Sequence, residues 1–243
     1  APNTNTDRTI TLPDSTGTLV DDTTAVTKDA SGNVGIGTSS PNNPVHINGG
    51  AADTALQITN NATGTAATDG FSITVENPTA SVAIRNREAT DMKFLTSNTE
   101  RMRIDSAGIV TMPSQPSFRA GRNAGNVAPG NNVVFNVAYH NIGVHYSSSN
   151  GKFTAPVAGS YQFNVRLINT NGAYNTDLAR ITLNGGSGVV VNMHSVASTS
   201  HAGNSLSVVI YLNANDFINV LAANHDVYGT IAQHCSFSGH LIG

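Results

Sequence analysis

The sequence predicts an all-β protein, and three observations predict it. Charged residues make up 11% of the 243-residue chain, against ~25% in an average soluble domain. The helix formers Lys and Glu occur three times each, while the turn formers Asn and Gly occur 29 and 23 times. Chains of that kind favour short strands joined by tight turns over helices. Finally, short runs alternate large apolar with polar residues, the period of a half-buried strand. The same composition argues against helix bundles, coiled coils and doubly wound α/β enzymes.

Charge and cysteine content narrow the function. A 39% hydrophobic content with a net charge of −3 does not fit disorder, which needs few apolar residues and high net charge. A pI near 6.2 gives no reason to expect a nucleic-acid partner or an anionic membrane surface. The single cysteine, Cys235, excludes an intrachain disulfide and a Cys-based zinc site. No apolar run approaches the ~20 residues of a membrane span, so no membrane insertion is expected. The first apolar residues stand isolated among Thr, Asn and Asp, so no signal peptide is expected either. The chain starts at Ala1 in mid-pattern and reads as a fragment of something longer.

The chain changes character at Met112-Pro113-Ser114-Gln115-Pro116, where two prolines read as a linker. Residues 1–112 carry 7 Lys/Arg against 12 Asp/Glu, hence −5, and residues 113–243 carry 5 against 3, hence +2. In the first part, Asp14-Ser15-Thr16-Gly17-Thr18-Leu19, Asp29-Ala30-Ser31-Gly32-Asn33-Val34 and Asp105-Ser106-Ala107-Gly108-Ile109-Val110 repeat one pattern. Asp closes such a turn and Gly takes positive φ, so each copy predicts strand–turn–strand. Phe71–Val75 and Ser81–Arg85 alternate and predict paired strands across Glu76–Ala80. These short strands are thin material for a closed monomeric core. Three intertwined chains would supply the missing burial.

The second part predicts a β-sandwich or jelly roll. Tyr161-Gln162-Phe163-Asn164-Val165-Arg166-Leu167 alternates strictly, and Leu206, Val208, Ile210 and Leu212 continue the pattern. Phe217–Leu221 and Cys235–Ile242 add further strands. Turn clusters lie between them, at Asn169–Asp177, Asn184–Gly188, Ser198–Asn204, Asn213–Asp216 and Asn224–Gly229. Phe135, Phe153, Tyr161 and Phe163 are expected in the core, with Cys235 a small buried apolar side chain.

Two resemblances sharpen this reading. The spacing of Phe135, Asn141, Tyr146, Phe153, Gly159, Tyr161 and Phe163 resembles the complement C1q-like branch of the tumour-necrosis-factor superfamily. Asn150-Gly151-Lys152-Phe153-Thr154-Ala155-Pro156-Val157-Ala158-Gly159 is similar to that family's form, while Val165 stands where the family has an aromatic. Leu212-Asn213-Ala214-Asn215-Asp216 resembles the family's L-x-x-G-D turn, with Asn215 for Gly. Both residue types tolerate left-handed φ. Phe237–Ile242 resembles its last strand. In the first part, Arg8–Asp14, Gly32–Pro41 and Thr99–Asp105 resemble segments of bacteriophage tail fibres.

Together the resemblances imply an all-β chain with a short-stranded trimeric shaft, residues 1–112, and a ten-stranded C1q/TNF-like jelly-roll head, residues 113–243. They imply a homotrimer at the tip of a phage tail fibre, part of the virion, that binds a host bacterial surface receptor. A glycan or an outer-membrane protein would serve, and upstream tail or baseplate proteins would attach through a missing N-terminal part. A structural shaft with a trimerisation knob is the alternative.

The jelly-roll topology that the resemblance implies, counted strand by strand, puts the turns at 169–177, 198–204 and 224–229 at the apex, and those at 185–188 and 213–216 at the base. The apex candidates for receptor contact are Asn171, Tyr174, Asn175, Asp177, His201, Asn204, His225, Asp226 and Tyr228. Flat amphipathic rings suit sugar faces, and amides or carboxylates suit hydroxyls. Solvated turns would carry many of the same residues. Seven of the eight histidines lie in the second part, and none has a helical metal spacing. A metal held by one histidine repeated around a trimer axis would be the alternative to the expected half-buried, hydrogen-bonded histidines, and no metal or other cofactor is expected. Some members of the resembled family carry apical calcium. Asp177 and Asp226 alone are thin for an ion that takes 6–8 oxygens. An enzyme is not expected: glycoside cleavage needs two carboxyls ~5–9.5 Å apart, and no serine elbow is present.

Overall fold

The computed structural model describes residues 26–170, 176–186, 189–194 and 201–243, and every regular element among them is a strand. The chain divides into two compact units. One holds the described residues up to Met92 with Asp105–Gly108; the other holds Lys93–Ile104 and Ile109–Gly243.

In the first unit, β1 (Val26–Lys28), β2 (Val34–Ile36) and β3 (Val45–Ile47) form one sheet, antiparallel then parallel. The Asp29 turn joins β1 to β2 as its sequence predicts. The Asp29 carboxylate accepts from the Asn33 backbone N–H at 2.8 Å, and Gly32 sits at φ +89°. Those amide bonds, the Asn33 backbone N–H first, hold the Asp29 carboxyl below its ordinary range. β4 (Thr54–Ile58), β5 (Phe71–Val75) and β6 (Val82–Asn86) form an antiparallel meander with Ile73 opposite Leu56 and Ile84. The predicted pairing of the 71–75 and 81–85 runs is therefore present. Its faces are inverted, however: Ser72 and Thr74 are buried, while Ile73 and Val75 are exposed.

β7 (Met92–Thr96), β8 (Thr99–Ile104) and β9 (Val110–Thr111) form a third small sheet. The Asp105 turn joins β8 to β9, with the Ala107 N–H donating to the Asp105 carboxylate at 2.9 Å. The Asp14 copy of the pattern lies outside the described residues. Met112–Pro116 falls within the second unit, where the Gln115 side-chain amide donates to the Leu241 carbonyl at 2.7 Å.

The rest of the second unit is a sandwich of two antiparallel five-stranded sheets. Its strands are β10 (Ser117–Gly121), β11 (Val137–Ile142), β12 (Tyr146–Ser147), β13 (Lys152–Thr154) and β14 (Gly159–Asn169), followed by β15 (Asp177–Leu183), β16 (Val189–His194), β17 (Ala202–Leu212), β18 (Phe217–Ala222) and β19 (Ser236–Leu241). One sheet runs β11-β10-β19-β14-β17, the other β12-β13-β18-β15-β16. Strict alternation sends Tyr161, Phe163, Val165 and Leu167 of β14 inward. Phe135, Phe153 and Cys235 are also fully buried, as expected.

Phe118 ties the layers together. Its ring stacks on Tyr146 at 4.6 Å and on Phe153 at 5.1 Å, and meets Phe237 edge-on at 4.8 Å. Such contacts add ~0.5–1.5 kcal/mol each beyond area burial. The Tyr146 hydroxyl donates to the Phe135 carbonyl at 2.9 Å, and burial pushes its phenol pKa far up. Asn215 adopts φ +72°, so the turn with Asn in place of Gly keeps its left-handed residue.

Candidate functional site

Strand direction brings the ends of β14, β15, β16 and β17 together at one end of the sandwich. Asn169 at the end of β14 pairs with Ala202 at the start of β17, and Asp177 at the start of β15 pairs with His194 at the end of β16. The 224–229 turn closes onto both. The Asn224 N–H donates to the Asp177 carbonyl at 2.9 Å, and the Tyr228 N–H donates to the Ile168 carbonyl at 2.8 Å. The 184 and 213–216 turns meet at the opposite end, where Asn184 donates to the Asp216 carboxylate at 2.8 Å.

Tyr228 is the centre of the gathered end. Its backbone is pinned on β14, and its carbonyl accepts the Cys235 thiol at 2.8 Å. The His201 ring meets the Tyr228 ring edge-on at 4.6 Å, and the His234 ring lies 5.8 Å away on a tilted plane. His225 bonds through Nε2 to the Thr176 hydroxyl. The Asn204 amide donates to the Asn169 side-chain oxygen at 3.3 Å. Asp226 is exposed, and its carbonyl accepts the Thr170 N–H at 3.3 Å. Asn171, Tyr174 and Asn175 lie outside the described residues.

Asp177 is engaged by its own protein. Arg180 lies 3.2 Å from one carboxylate oxygen, and the His194 ring nitrogen lies 3.5 Å from the other. A cation that needs several free oxygens does not fit there. Among the described residues no three His, Cys, Asp or Glu side chains are placed to hold a metal.

A floor supports these turns. Arg122 is buried, and its guanidinium donates to the carbonyls of Val134 (2.7 Å), Gly125 (3.0 Å) and Ala124 (3.1 Å). Burial works against that charge and lowers its pKa. Gly229 seats the turn on this floor, because a Cβ there would come 2.2 Å from the Gly125 carbonyl and 2.5 Å from Arg122 Nε. Sequence reasoning missed Arg122, His194 and His234. Only sheet register and the 231–235 turn bring the two histidines to this end.

The C1q domain model matches residues 117–242, just over half of the chain. This chain belongs to the C1q domain family. The gathered turns are thus the loops at one end of a C1q jelly roll. No curated protein matches the chain. Among solved structures the chain is similar to the globular domain of zebrafish complement 1qA, at 18% identity and a TM-score of 0.44, covering 53% of this chain and 98% of that one. It is also similar to murine APRIL at pH 8.0 (9% identity, TM-score 0.42, covering 53% and 99%). Eiger TNF from S. frugiperda gives 12% identity and a TM-score of 0.39, covering 54% and 94%.

Proposed function

We propose that this chain is the distal part of a phage tail fibre. As a homotrimer it attaches the virion to a receptor on the host bacterium, a surface glycan in the first instance. Residues 1–112 serve as a short-stranded shaft and the ten-stranded C1q domain as the recognition head. The observation that carries the reading is the Tyr228 ring flanked by His201 and His234 at the loop end of that domain. Flat rings with polar edges stack on sugar faces, and the exposed Asp226 in the same turn as Tyr228 suits hydroxyls. The tail-fibre-like segments of the first part support the viral setting. Three weak contacts on one trimer raise avidity by ~10²–10⁴ over one.

The fluorescently labelled chain, incubated with a panel of bacterial strains, tests this. Strain-selective adsorption that falls after periodate treatment of the cells is the expected result. Selective adsorption that falls only after protease treatment moves the receptor to an outer-membrane protein. Equal adsorption to all strains, or to none, favours the structural alternative of a shaft ending in a trimerisation knob. The bare aliphatic faces of the first unit also favour that alternative. Sugar release from host polysaccharide would make the chain a cleaving enzyme and overturn the binding reading.

A further inference from the structure

The meander β4-β5-β6 is built inside out. One face carries Leu56, Ile73 and Ile84 in a single cross-strand row, with Val75 beside Val82 in the next. All five side chains are exposed, from 42% at Ile73 to 69% at Val82. Exposed Ile58 and half-buried Phe71 extend the face, which Thr54 and Asn86 close at its two ends and which holds no Lys, Arg, Asp or Glu. The other face carries Gln57, Ser72 and Arg85 in one row and Ala55, Thr74 and Ala83 in another. Gln57 donates to the carbonyls of Ala66 and Asp69, both at 2.8 Å, so the chain's own 60–69 loop is tied to this polar face. The hydroxyls of Ser72 and Thr74 are buried with no hydrogen-bond partner among the described residues.

A chain that folds for itself buries its aliphatics and leaves hydroxyls to water. Here the protein covers the hydroxyls and leaves the aliphatics bare. Exposed aliphatics recur in the other sheet of this unit. Val26, Ile36 and Val45 are exposed on β1, β2 and β3, while Gly35 is buried on the opposite face. Apart from Lys28, the face that Val26, Ile36 and Val45 share is aliphatic.

We infer that the bare face of β4-β5-β6 packs against the same face of other copies of this chain. The inference rests on the self-association in the reading above and names its surface. Size and chemistry select that occupant. Five residues of rise on three strands give a flat face of roughly 17 by 14 Å, well short of the ~800 Å² that one side of a stable interface buries. So small a patch does not hold an independent partner. It adds to an assembly in which every copy brings the same face and the pattern repeats from sheet to sheet. The face is also free of charge, so identical copies meet without burying an unpaired ion, and its β-branched rows suit face-to-face sheet packing.

Phe71 replaced by the photoreactive p-benzoyl-phenylalanine reports the neighbour directly. A second chain carries the same group at Ile84, and a control carries it at exposed Thr65. Each is irradiated as the full chain in a mixture with isotope-labelled protein, with sedimentation run in parallel. The expected result is a covalent dimer from positions 71 and 84, with mixed-isotope cross-links to residues 54–86 of another copy, and none from position 65. Cross-links confined to one chain, residues 1–25 included, mean that the protein covers its own face and overturn the inference. An oligomer in sedimentation with no cross-link from either position overturns it too, while leaving self-association standing. A monomer in sedimentation removes both.

Discussion

The Cys235 thiol donates to the Tyr228 carbonyl at 2.8 Å, joining the buried core of the C1q domain to the residue at the centre of its loop end. Cys235 is fully buried, and burial raises its thiol pKa. The side chain therefore works as a small apolar group with one weak donor rather than as a nucleophile. Cys235→Ala removes both the donor and buried volume. A stability loss of ~1–2 kcal/mol is expected, read from thermal unfolding. The native thiol stays silent toward a colorimetric thiol reagent until the domain unfolds.

Gly239 lies where β19 passes between aromatic rings. A Cβ at this position would stand 2.5 Å from the Phe163 ring and 2.9 Å from the Phe118 ring. Both rings are locked among other aromatics, so they yield only by leaving good rotamers. Gly239→Ala is expected to cost ~1–3 kcal/mol by overpacking. An unchanged denaturation midpoint would show that the aromatic layer can shift.

Asp216 gives the C1q domain an acid-sensitive latch. The Asn184 side-chain amide is the largest cause that lowers its carboxyl pKa, followed by the Asn213 backbone N–H at 2.9 Å. A carboxyl lowered in the folded state stabilises the fold above its unfolded pKa, and that contribution is lost as pH falls through the folded pKa. Asp216→Asn therefore lowers Tm at neutral pH. The melting temperatures of the two proteins converge as pH drops below the ordinary value of 3.8. Parallel curves across that range would show that the latch carries no linked proton.

Much of the C1q domain was legible because its residues leave little choice. Phe135, Phe153, Tyr161 and Phe163 alternate at a size that only a core accepts, and all are fully buried. Asn215 was legible because few residue types occupy φ +72°. The family topology together with strand parity put the ends of β14 and β15 and the 224–229 turn at one end, since antiparallel strands alternate direction. The residues missed depend on register. His194 reaches Asp177 only because β16 pairs with β15 at that step. His234 joins Tyr228 only because the 231–235 turn folds back. In the first unit, alternation marked two faces on β5 but not which one the 60–69 loop would cover. Sequence period gives the faces of a strand, and long-range packing decides which is buried.

Tyr228→Ala measured against wild type on an adsorbing strain tests the central claim most directly. Tyr228 is half-buried, and its backbone bonds to Ile168 and Cys235 do not need the ring. The account predicts adsorption reduced at least ~tenfold, the loss of ~1.4 kcal/mol or more of binding, with thermal unfolding within a few degrees of wild type. Adsorption that is unchanged, or that falls only in step with a large drop in Tm, would contradict it.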